Sequence, residues 1–102
     1  MTKEGLNQLI STYRKILIHA GVRPQVVDVT QKLSRDEVLG HCLWVLEEKF
    51  IPLMNRIGGF EEVLRLIGCI QGTVMAYGLC TIAETREHAT QAKLTTWDKI
   101  IG

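Results

Sequence analysis

Apolar residues recur at intervals of three and four along most of this chain, and that spacing divides it into helices. From Lys3 to Ala20, the residues Leu6, Leu9, Ile10, Tyr13, Ile16, Leu17 and Ala20 share one helix face. Lys3, Glu4, Gln8, Ser11, Thr12 and Lys15 lie largely opposite, so the spacing predicts an amphipathic helix over 3–20. Gly21 is its expected stop, since glycine readily takes the left-handed conformation that closes a helix. Ile18 falls near the polar side. The next stretch, VRPQVVDVTQKL, has mixed signals: Pro24 suits a helix start, while Val26, Val27 and Val29 suit extended chain equally well. Residues 22–33 are therefore expected to form a crossover that traverses one end or side of the bundle and packs its valines there.

Ser34 and Glu37 form an S-x-x-E capping box, and the apolar positions Val38, Leu39, Cys42, Leu43, Leu46 and Phe50 follow at helical spacing. The pattern continues through Leu53, Met54 and Ile57, predicting a helix over 34–57. Pro52 should kink or break it near Phe50, because proline lacks the N–H and clashes with the carbonyl four residues back. Gly58-Gly59 ends it. The central stretch runs from Phe60 to Gly78, with apolar residues at 60, 63, 64, 67, 70, 74 and 77 and a second line of small residues at Gly68, Gly72 and Ala76. Each interior glycine costs a helix about 1 kcal/mol relative to alanine. Something must offset that cost, most simply a second helix packed at close range, within the chain or across a symmetric dimer. Gln71, beside this stripe, is a candidate buried hydrogen-bonding group; the plainer reading is an edge residue that reaches water.

After Gly78, Thr81 and Glu84 make a second capping box and predict a helix over 81–92. That helix is mostly polar, with a thin buried edge through Ile82, Ala89 and Ala92. The tail LTTWDKIIG brings Trp97, Ile100 and Ile101 to the spacing of a small apolar patch, which should dock on the bundle or bind something else. The fold class that follows is all-α: one helical domain over 1–102, a small four-helix bundle-like arrangement with a crossover and a short C-terminal tail.

Composition narrows the picture further. At 46% hydrophobic and 23% charged, the 102 residues have the make-up of an ordinary globular protein. Twelve Lys and Arg against eleven Asp and Glu give a net charge of +1 with no run of one sign, so the basic footprint of a nucleic-acid or anionic-membrane binder is missing. MTKEGLNQL lacks the features of a signal peptide and no window approaches a membrane span, so the expected location is cytoplasmic. The three cysteines, Cys42, Cys69 and Cys80, lie in apolar surroundings and are expected to be reduced and buried.

Candidate chemistry is sparse. His19, His41, His88 and the cysteines form no C-x-x-C or H-x-x-x-H pair, and no metal or cofactor is expected. Cys80, just before a helix N-terminus, is the one thiol whose surroundings could favour a thiolate. A nucleophile there would also need an exposed thiol, a histidine in reach and a group to orient it. Glu47-Glu48 and Glu61-Glu62 diverge on their helices. A helix-turn-helix reading of the Gly78 turn would bury Glu84 and Glu87, so nucleic acid is not an expected partner.

Three segments together resemble small, mostly uncharacterised proteins of tailed bacteriophages and prophages: Leu43-Trp44-Val45-Leu46-Glu47-Glu48, Gly68-Cys69-Ile70-Gln71-Gly72, and Gly78-Leu79-Cys80-Thr81-Ile82-Ala83-Glu84. The resemblance covers about half of the chain and carries no catalytic role. It implies a phage or mobile-element accessory protein, placed in the host cytoplasm. The functional expectation is a non-catalytic interaction protein that self-associates as a homodimer or binds a host or phage protein, through Gly68, Gln71, Gly72, Ala76 and Trp97. The alternative is a helical bundle binding a small ligand such as a nucleotide.

Overall fold

A computed structural model describes residues 3–92, and among them the chain is all-α. Five helices follow in order: α1 (Lys3–His19), α2 (Arg35–Glu48), α3 (Phe50–Met54), α4 (Gly59–Ala76) and α5 (Ile82–Gln91). The expected long second helix is two helices, because Pro52 supplies no N–H to the Glu48 carbonyl. The ladder breaks at Lys49, which ends α2 and starts α3 with φ −105° and ψ −28°. Beyond Met54 the chain turns, so Ile57, expected on the buried face, is fully exposed.

Local signals set the other boundaries. Ser34 and Thr81 each accept a hydrogen bond from the backbone N–H three residues on, and the Glu37 and Glu84 carboxylates accept one from the N–H of the cap residue. Gly21 and Gly78 adopt φ of 79° and 77°. At Gly21 the Val22 N–H bonds the Leu17 carbonyl and the Gly21 N–H that of Ile18; Leu79 and Gly78 repeat the pattern onto Val74 and Met75. Both are Schellman closures, which satisfy the last carbonyls of α1 and α4.

One core joins these elements. α1 contributes Leu6, Leu9, Tyr13 and Leu17; α2 and α3 contribute Leu39, Leu43, Leu46 and Phe50; α4 contributes Val63, Ile67, Ile70 and Val74. α1 packs on α2, α4 and α5, and α4 packs on all four other helices. The central helix expected over 60–77 is thus the structural hub, although Tyr77 at its end is exposed.

The crossover departs from expectation. Val26 and Val29 are 71% and 70% exposed, while Val22, Val27 and Leu33 are half-buried. What anchors the segment is backbone: the Gln25 N–H donates to the Gly40 carbonyl at 3.0 Å, where α2 has no side chain to hold the crossover away. An Asp28–Thr30 turn follows, with the Thr30 N–H and hydroxyl both donating to the Asp28 carboxylate.

Candidate functional site

α4 presents two faces of different character. On the side toward α1 and α5, half-buried Gln71 donates from Nε2 to the Tyr13 hydroxyl at 3.3 Å, and that hydroxyl lies 3.0 Å from His88 Nδ1. The Tyr13 and His88 rings meet edge to face, with centroids 5.3 Å apart. Since Gln71 gives its hydrogen to the Tyr13 oxygen, the hydroxyl hydrogen is free for His88 Nδ1 in the tautomer that leaves that nitrogen an acceptor. Tyr13 is wholly buried, and burial pushes its phenol up, against the smaller opposing pull of Gln71 and Thr85. Gln71 is therefore half-buried and hydrogen-bonded from α4 to α1. Sequence reasoning missed its partners, because residues 13, 71 and 88 share no local pattern.

On the outward side, the stripe at Gly68, Gly72 and Ala76 meets no neighbouring helix among the described residues. A Cβ added at Gly68 or Gly72 would find no atom within 4 Å. The close contact expected over these glycines is absent from the described part of this chain, and this corrects the reading in which another of the described helices covers them. Gly68, Cys69 and Ala76 are exposed, and no charged residue occurs from Leu66 to Tyr77. The result is an uncharged strip of small side chains on the C-terminal half of α4. Trp97, with Ile100 and Ile101, lies outside the described residues.

The cysteines sort differently from the expectation that all three are buried. Cys80 is buried and Cys42 half-buried, whereas Cys69 is exposed on the outward strip. All three are free thiols. Burial pushes the Cys80 thiol up, and the Glu84 carboxylate adds to the effect; burial and then the nearness of Cys69 do the same at Cys42. Cys80, the thiol expected to favour a thiolate, is thus raised instead, first by burial and then by the capping carboxylate, a like charge to a thiolate.

The histidines sit in different surroundings: His19 is exposed, His88 bonds Tyr13 and His41 is half-buried. His41 stacks on Trp44 with centroids 5.5 Å apart, Lys49 Nζ sits 4.9 Å from the Trp44 ring centre, and His41 Nδ1 is buried without a partner. Among the described residues no three His, Cys, Asp or Glu side chains are grouped to hold a metal ion. No helix among them is long and apolar enough to cross a membrane. Arg14 and Glu47 pair across α1 and α2 at 3.4 Å, an exposed contact worth at most about 1 kcal/mol. No family model, curated protein or solved structure matches the chain.

Proposed function

We propose that this is a non-catalytic helical interaction protein that self-associates as a homodimer, with the outward strip of α4 as its contact. One observation carries the reading: the described chain places two interior glycines in its hub helix and nothing over them. In an isolated helix that choice costs about 2 kcal/mol, and a backbone left bare of side chains is useful where another backbone comes close. Two-fold symmetry suits the strip, since Gly68, Gly72 and Ala76 of one copy can cross the same residues of the other, with Cys69 and Thr73 beside the crossing point. An uncharged strip also spares the pairing any burial of charge.

The polar groups that come nearest to a ligand-binding arrangement, Tyr13, Gln71 and His88, spend their hydrogen bonds on one another, which favours an interaction role over enclosure of a nucleotide. The resemblance carried by residues 43–48, 68–72 and 78–84 supports an accessory protein of a phage or mobile element acting in the host cytoplasm.

Sedimentation velocity from micromolar to hundreds of micromolar protein tests the dimer. The wild type should dimerise, and Gly72→Leu should be monomeric with a melting temperature no lower than that of wild-type monomer. A wild type that stays monomeric throughout, or a Gly72→Leu variant that still dimerises, removes the α4 strip from the reading.

A further inference from the structure

Among the described residues, the side-chain hydrogen bond that ties α5 to another helix ends on the Tyr13 hydroxyl, 3.0 Å from His88 Nδ1. The apolar attachment of α5 is thin. Ala89 and, just past its end, Ala92 are its buried residues, with buried Cys80 and half-buried Leu79 on the segment that leads into it, while Ile82, expected on the buried edge, is 62% exposed. α1 and α4 each insert four large side chains into the core by comparison. α5 also completes its own start, because the Thr81–Glu84 capping box satisfies N–H groups that would otherwise need the body of the protein. The chain enters α5 through Gly78, whose φ of 77° is open to few other residues. A self-capped helix with little buried surface, a single polar anchor and a glycine at its root belongs to the low-stability end of a structure.

We infer that α5 is a strap that opens as a unit about Gly78 while α1 to α4 stay folded, and that the Tyr13 hydroxyl is its latch. Opening uncovers Tyr13 and Gln71 on the body and draws Cys80, which follows the Gly78 hinge, out of the core. Gln71 remains on the body side and keeps its hydrogen bond to Tyr13, so the latch oxygen stays aimed at the place to which His88 returns. The strap is a property of the single chain and stands independently of self-association through α4.

Two native-state readouts on the full chain test this: amide hydrogen exchange, and alkylation of Cys80 followed by peptide mass spectrometry, which separates it from Cys42 and exposed Cys69. The α5 amides and Cys80 should share one opening, at least tenfold more frequent than that of the α1 and α4 amides and with a weaker dependence on denaturant. Tyr13→Phe should make that opening about three- to tenfold more frequent, as loss of one hydrogen bond implies. His88→Ala, on the strap itself and partly exposed, should do the same, and it serves if the Tyr13→Phe change disturbs the core. If α5 and Cys80 open only with the rate and denaturant dependence of α1 and α4, there is no strap. If neither variant changes the α5 opening, the Tyr13 hydroxyl is not the latch.

Discussion

Gly40 and Gly59 differ from Gly68 and Gly72 in what surrounds them, although all four lie inside helices. A Cβ at Gly40 would come within 2.7 Å of the Arg23 carbonyl oxygen and 3.0 Å of Gln25 Cγ; at Gly59 it would overlap the Leu53 carbonyl. At Gly68 and Gly72 it would meet nothing within 4 Å. The first pair lets the chain pass close to itself, at the crossover and at the turn from α3 into α4. The second pair does nothing of the kind within the described residues. Glycine in a helix therefore has two separable meanings here, and regular spacing marks the pair that the fold does not use.

Substitutions can break or sharpen this contrast. The largest effect belongs to Gly59→Ala, where the obstacle is backbone that cannot swing aside; a loss of about 3 kcal/mol is expected, at the upper end for overpacking. Denaturant unfolding measures it, and a loss below about 1 kcal/mol would mean that the α3–α4 turn yields easily. Gly40→Ala comes next. Helix propensity returns nearly 1 kcal/mol, Gln25 can shift, but the Arg23 carbonyl must move as well, so a net loss of about 1 kcal/mol is expected with weakened protection of the Gln25 amide.

Gly68→Ala should have the opposite sign, stabilising the monomer by up to about 1 kcal/mol through helix propensity alone. A fall in the monomer's melting temperature would show that part of the same chain covers the strip, and the contrast between the two pairs would disappear.

The smallest effect calibrates that helix-local gain. Glu84 lies below the usual carboxylate range because the Thr81 backbone N–H and hydroxyl bond its ionised form, and Glu37 does so for the same reason at Ser34. A lowered folded-state pKa means that the stabilisation is fully present above the unfolded value of 4.5 and is lost as pH falls through the folded value. Glu84→Gln keeps an acceptor for the cap but cannot titrate, so acid should loosen α5 less in this variant than in the wild type. Amide exchange across 82–91 from pH 6 to 3 reads the difference; identical profiles would remove the titrating cap as a contributor.

Elements with local causes were legible in the sequence. Both capping boxes, the stops at Gly21 and Gly78 and the break before Pro52 follow from residues within a few positions of one another, and each lies where expected to within a residue or two. Ile57 and Ile82 depart from expectation, because periodicity carried past a turn or into a helix's first residue says nothing about what lies opposite. The valines of the crossover do so for a related reason: its anchor is a backbone contact at Gly40, visible in sequence only as one glycine in an otherwise regular helix. In the candidate site, Gln71 was recognisable as a polar residue on an apolar helix. Its partners were not, since Tyr13 and His88 reach it through the assembled fold.

The left-handed glycines at 21, 58 and 78 also bear on the order of assembly. Each sits at a helix boundary, and the Gly21 and Gly78 closures span only six residues. Segment lengths are thus specified by residues close in sequence, and contacts at longer range have only to dock rods already cut to size. Chains dominated by such short-range contacts reach the native state quickly. In this protein the meeting of Tyr13 with residues 58 and 75 positions further along is the kind of contact that no local signal specifies.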